Sequence, residues 1–239
     1  MNTISCCKQD KKPLRIAFSQ QKAMVVCLDL DEVRRTRNRV QYRIKYNETV
    51  TTSEYPNINT LSVGTIKGII RQKDLREPQT ELGLSFCHDR SNNSIINKVQ
   101  TLKHNTNLLV SESVGCKHKI CLHDMRHLRR PVLEYINRSS PYTQRNTAFY
   151  IDDNEDFLLA DAKIKRNTSF DHLIRVYDVK RGVEVAAYPQ FAQLFYEEAW
   201  PMLGNQPGFL GIRSGEKPVI QWLSMSKTML WQQQEQQPQ

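Results

Sequence analysis

Short stretches in which apolar and polar residues alternate recur along the whole chain, each broken by Gly, Asn, Ser or Pro. Alternation with a period of two puts one set of side chains on each face of a strand, and the breakers are turn formers. One such group predicts four strands at residues 96–102, 107–113, 117–125 and 131–136. The same order returns at 147–151, 157–162, 172–178 and 183–188, with Arg181-Gly182 as the turn before the last. A later group predicts 193–197, 208–213 and 218–223, and an early one predicts 3–7, 13–19, 24–30 and 40–46. Between them lies a weaker group, with strands at 66–73, which contains Gly68, and 82–86. One segment competes with this pattern: within 192–200 and its flank, Phe191, Leu194, Phe195 and Ala199 can share a helical face.

Each group carries a short cassette: Leu28-Asp29-Leu30, Lys73-Asp74-Leu75-Arg76, His123-Asp124-Met125-Arg126, Tyr177-Asp178-Val179-Lys180 and Trp222-Leu223-Ser224. Their second residues fall at 29, 74, 124, 178 and 223, with gaps of 45, 50, 54 and 45 residues. A repeat of that length built from short strands is the sequence signature of a β-propeller blade. The predicted fold is therefore all-β, a single propeller-like domain over residues 1–231 with units near 1–48, 49–90, 91–140, 141–190 and 191–231. Residues 232–239, rich in Gln, have nothing to bury and read as a disordered tail.

The run from Leu108-Leu109-Val110-Ser111 through Ile120-Cys121-Leu122-His123-Asp124-Met125-Arg126 resembles a WD-repeat, and Ile174-Arg175-Val176-Tyr177-Asp178-Val179 is similar to its third strand. The resemblance implies that the residue before the Asp packs between blades and that the Asp closes a turn. Leu, Lys, His and Tyr stand at the Trp position in four units; Trp222 keeps the indole, but Leu223 replaces its Asp, and no Gly-His dipeptide is evident. Seven blades, usual for the family, would leave about 34 residues each in 239, too few for these spacings. Five fill the chain. Because five is uncommon in this family, an open arc is favoured over a closed ring, and its unpaired edges would invite self-association.

Composition narrows the function. Hydrophobic residues make up 39% of the 239, aromatics 8%, and no run approaches the roughly 20 apolar residues that span a bilayer. The first nine residues lack an apolar core of the kind a secretory signal needs, so the six cysteines read as free thiols in a reducing compartment. An intracellular protein is expected, nuclear in preference to cytoplasmic. Against 25 Asp and Glu stand 34 Lys and Arg, a formal charge of +9 that favours acidic partners.

Candidate chemistry is sparse. Cys116, His118, Cys121 and His123 have the residue types of a zinc site, but on a strand 116 and 118 face away from 121 and 123. Cys87-His88 would add ligands only from the neighbouring unit, so no metal is expected. The cluster Asp152-Asp153-Asn154-Glu155-Asp156 lacks the spacing of a calcium loop and reads as a turn with solvated charges. No nucleophile elbow, phosphate-binding loop or metalloprotease helix occurs, so neither an enzyme nor a cofactor is expected.

Two surfaces remain. Arg34, Arg35, Arg37 and Arg39 follow one third strand, and Arg126, Arg129 and Arg130 occupy the matching place two units later. On a propeller they form either one basic rim able to contact nucleic-acid phosphates or two separate solvated loops. More specific is the arginine two places after the Asp, in Asp74-Leu75-Arg76 and Asp124-Met125-Arg126. The segments are similar to the Asp-x-Arg box of WD-repeat substrate receptors for cullin ubiquitin ligases, where the arginine contacts the ligase adaptor. The resemblance thus implies a non-catalytic scaffold or adaptor with protein partners, bound through Asp74, Arg76, Asp124 and Arg126. A nucleic-acid- or chromatin-associated factor is the alternative.

Overall fold

Among the described residues, nineteen strands in five antiparallel sheets are what the alternating stretches become. The computed structural model describes residues 4–9, 12–20, 24–29, 41–45, 48–57, 59–77, 83–88, 94–115, 118–138, 149–166, 169–189, 191–195, 208–213 and 219–224. The first sheet orders β1 (Ile4–Gln9), β2 (Lys12–Gln20), β3 (Met24–Asp29) and β4 (Gln41–Lys45) consecutively. The second runs β5 (Val50–Asn57), β6 (Thr60–Thr65), β7 (Ile69–Asp74) and β8 (Leu84–Cys87). The third comprises β9 (Ser94–Thr101), β10 (Leu108–Gly115), β11 (His118–Asp124) and β12 (Leu133–Arg138). In the fourth are β13 (Phe149–Ile151), β14 (Phe157–Arg166), β15 (Ser169–Asp178) and β16 (Glu184–Pro189); β17 (Phe191–Phe195), β18 (Gly208–Arg213) and β19 (Val219–Ser224) complete the fifth. No helix occurs among the described residues.

The chain falls into two compact units, Met1–Asn146 with the first three sheets and Thr147–Gln239 with the last two. Within the first, β5 packs on β1 and β2 of the preceding sheet, and β9 packs on β5 and β6. Ile70 and Phe86 of the second sheet share a core with Ile96, Val99, Leu109 and Met125 of the third. In the second unit Phe157, Leu159, Ile174, Val176 and Val185 form the core of the fourth sheet.

Burial within a sheet is uneven. Outer-facing and buried positions alternate along β5 and β9, whereas β6, β10 and β11 are buried almost from end to end. The polar residues of β10 that alternation would send to solvent are inside. Glu112 accepts from Asn97 Nδ2 at 2.7 Å and lies 2.9 Å from His118 Nε2, the pairing that a buried carboxylate requires.

Three expectations change. Gly68 is outside any strand: β6 stops at Thr65, and Gly68, at φ 76°, closes a turn with its amide on the Thr65 carbonyl. Only a residue without a Cβ takes that conformation freely. Residues 191–195 form β17, so the competing helix does not form there, and 196–200 lie outside the described residues. The acidic cluster is a turn between β13 and β14, but Asp152 is buried, not solvated. Its Oδ1 accepts from the amides of Asp156 and Phe157 at 2.8 and 2.7 Å, while burial raises its pKa above the usual carboxylate value.

Two contacts set the spacing between the second and third sheets. A Cβ on Gly64 would stand 2.3 Å from Cγ2 of Ile96 and 2.8 Å from Cγ2 of Thr52, so β6 can approach β9 only because residue 64 has no side chain. Nearby, Glu54 Oε2 accepts from the Thr101 amide at 2.7 Å. Burial lifts the Glu54 carboxyl from 4.5 to about 7, against the lowering effect of that amide and of Lys98.

Gly64→Ala should therefore cost about 1–3 kcal/mol, the usual penalty for overfilling a packed site, measured by urea unfolding. A variant as stable as wild type would mean that the two strands are free to separate.

Glu54 gives a pH signature. The folded chain holds its proton more tightly than the unfolded chain, so stability falls as pH rises from about 4.5 to about 7 and the loss is complete above that. Glu54→Gln keeps an acceptor for Thr101 and removes the titration. Its stability should gain on wild type through that window and hold a constant lead above it; parallel unfolding profiles would contradict the assignment.

Candidate functional site

The cassettes that end the third strands are built alike. Asp74, Asp124 and Asp178 each accept, through Oδ1, the amide two residues on, from Arg76, Arg126 and Lys180, all at 2.9 Å. This side-chain turn is what Asp forms when it leaves a strand. The residue between turns inward: Leu75, Met125 and Val179 are buried. Their amides donate to Asn59, Asn107 and Asp156, which stand just before the second strand of each sheet, at 2.7, 2.7 and 3.0 Å. The residue before each Asp is buried too, as Lys73, His123 and Tyr177.

In two cassettes the arginine then folds back on its own Asp. Arg126 donates Nε to Asp124 Oδ1 at 3.0 Å and Nη2 to Oδ2 at 2.7 Å. Arg76 does the same on Asp74, at 3.0 and 2.5 Å. These two-point bonds hold both carboxyls down to about 2, well below their usual 3.8. The Arg76 and Arg126 side chains nevertheless stay 71% and 61% exposed. Exposed pairs of this kind add little stability, so the effect is to orient the side chain, with its remaining N–H groups turned to solvent. Lys180 departs from the pattern: its Nζ lies 3.7 Å from Asp156 and makes no fork on Asp178.

Beneath the third cassette, β8 and the strands of the next sheet bring three ligand-type side chains together. His88, Cys121 and His123 are buried, with their ligand atoms all within 4.8 Å of one another. The Ser111 hydroxyl lies between the imidazoles, 2.6 Å from His88 Nδ1 and 2.9 Å from His123 Nε2. Burial depresses the His123 pKa from 6.5 to about 4, so its ring is neutral at neutral pH. Phe86 packs on it with ring centroids 5.1 Å apart. The group thus ties the second sheet to the third. The expected split along β11 holds in that His118 turns instead to Glu112, whereas Cys116 lies outside the described residues. The sequence places His88 in the neighbouring unit, as a ligand type that could be added only from there; its contact with Ser111 exists only through the packing of two sheets.

Beside this link opens a cleft of about 960 Å³. One wall is the whole of β8 with His88; the other is the loop from Met125 to Pro131, with Glu134 of β12. Phe86, Met125 and Leu128 form its apolar part, and Arg126, Arg129 and Arg130 stand along it. The structure therefore gathers three of the expected basic residues at one place. Arg76 is not among the cleft residues, and Arg34, Arg35, Arg37 and Arg39 lie outside the described residues.

No protein-family model and no curated protein sequence matches the chain. Solved structures do. Chaetomium thermophilum Raptor superposes with a TM-score of 0.66 at 14% identity, over 95% of this chain and 19% of that one. A chain in a crystal structure of the mitotic checkpoint complex gives a TM-score of 0.62 at 13% identity, over 92% of this chain and 60% of that one. At such identities the likeness is one of fold. The protein is all-β, assembled from propeller-like antiparallel blades.

Ser111→Ala should leave the His88 and His123 nitrogens without the hydroxyl between them and cost about 1–3 kcal/mol in urea unfolding, the penalty for losing a buried polar partner. An unchanged midpoint would show that the serine does not link the sheets.

Proposed function

We propose that this chain is a non-catalytic protein-interaction scaffold, and that its finer role is that of a substrate receptor docking on the adaptor of a cullin ubiquitin ligase. The observation that carries the reading is the paired presentation of Arg76 and Arg126. Successive sheets offer the same exposed guanidinium, each held by its own aspartate at the same place in the repeat. An arginine already fixed in orientation loses less freedom on binding, and its free N–H groups can meet a partner's carboxylates or carbonyls. That one fold neighbour was solved within a mitotic checkpoint complex accords with a role in assemblies. The inter-sheet imidazoles, with the Ser111 hydroxyl between them, are enclosed.

The test is affinity purification of the full chain and its variants with identification of the co-purifying proteins. Arg76→Ala and Arg126→Ala should each weaken capture of the adaptor by about 2 kcal/mol, a hot-spot loss, with unfolding curves unchanged. Both substitutions spare the turn, because the aspartate's bond to the residue 76 or 126 amide is made by the main chain. Lys180→Ala should do little. If every partner stays in place in both arginine variants, the adaptor reading fails. If instead Arg34, Arg35, Arg129 and Arg130 matter equally and all effects fade in high salt, the nucleic-acid reading replaces it.

A further inference from the structure

The cleft between β8 and the loop that follows β11 lies apart from Arg76 and has features that the paired arginines do not explain. Leu84 is 50% exposed at its edge, an apolar side chain that no core requires there. Phe86 and Met125 close it from beneath, both nearly buried, with Leu128 half-buried beside them. Arg129 and Arg130 are exposed along the opposite wall and form no ion pair among the described residues. Their charge is opposed within the cleft only by Glu134, and Arg126 is already met by Asp124.

A third observation concerns the backbone. β8 is the last strand of its sheet and pairs only with β7, so among the described residues its outer edge has no strand neighbour. An exposed edge of this kind accepts an extended peptide as an added strand, with main-chain hydrogen bonds giving affinity and alternate side chains giving selectivity. Strand addition here would send one set of the peptide's side chains toward Leu84 and Leu128 and would bring its acidic residues within reach of Arg129 and Arg130. The volume, about 960 Å³, is that of a site for a few residues, not for a folded domain.

We propose that this cleft is a docking site for an extended, acidic peptide segment of a partner protein, with apolar side chains alternating with Asp or Glu. The proposal rests on the scaffold reading and adds to it the chemistry of what is held. A nucleic-acid strand fits less well. Phe86, the cleft's one Phe, Tyr or Trp ring, is buried against His123, which leaves only the small imidazole of exposed His127 for a base to stack on. Leu84 and Leu128 would also gain nothing from a phosphate backbone.

Fluorescence anisotropy of the full chain with a labelled decapeptide of alternating Glu and Leu tests this directly. Saturable binding should weaken about tenfold or more in the Arg129→Glu, Arg130→Glu double variant, since both attractions become repulsions, and should weaken as salt rises. Leu84→Ser, at a surface position, should weaken it several-fold by removing apolar contact. The matching Lys and Leu peptide should not bind. All variants are first shown to unfold like wild type. Arg76→Ala, outside the cleft, should leave peptide binding unchanged, so loss of adaptor capture and loss of peptide binding are separable results. No binding of the Glu and Leu peptide at millimolar concentration overturns the proposal, as does equal binding by the double variant. A decathymidylate strand that binds as tightly as the peptide, with Leu84→Ser without effect, would assign the cleft to phosphate instead.

Discussion

An aspartate that leaves a strand and captures the amide two residues on is the constraint from which the rest of the second, third and fourth sheets follows. Asp74, Asp124 and Asp178 all do so, and the turn they make drives the next residue, Leu75, Met125 or Val179, into the core. The same turned residue binds the main chain ahead of the second strand, which ties the end of the third strand to the hairpin before it. One side chain thus fixes a direction, an anchor and a register. This explains how a repeat survives with Lys, His and Tyr in the position before the Asp: that position asks for a buried side chain, whereas the turn depends on the carboxylate.

What joins neighbouring blades is different in kind, because no repeat supplies it. Between the second and third sheets the join is specific to single residues: the missing side chain of Gly64 against Ile96, Glu54 on the Thr101 amide, and the Ser111 hydroxyl between two imidazoles. The Glu54 carboxylate and the Ser111 hydroxyl in this interface are both matched, as a low-dielectric site demands. In the same interface burial displaces two pKa values in opposite directions, that of Glu54 upward and that of His123 downward.

The proposed interaction surface follows from both layers. The turn orients Arg76 and Arg126 while leaving them exposed, and the sheet-to-sheet join leaves β8 lining one cleft with a loop rich in arginine. Surface arginines held in this way contribute little to folding, so their arrangement costs the fold little and leaves them available for recognition.

The residues by themselves determined the all-β class, the positions of most strands in the third and fourth sheets, the turn at Arg181-Gly182 and the Asp cassettes. Those features rest on local rules, a two-residue period and a carboxylate reaching its own backbone, which need no distant partner. The Asp-x-Arg arginines stood out through a resemblance, and only the folded turn shows each guanidinium closing on its own aspartate. Local rules could not show that the polar residues of β10 are buried, because their pairing with Asn97 and His118 exists only once neighbouring strands are in register. Nor could they show what surrounds His88 or Leu84, because those surroundings come from another sheet. Asp152 was read as solvated on its composition alone, and only the folded turn, which offers it two amides, decided that it is buried. Chemistry carried by one strand and its turn can be read along the chain; chemistry shared between sheets appears only when packing brings residues far apart in sequence to within a few ångströms.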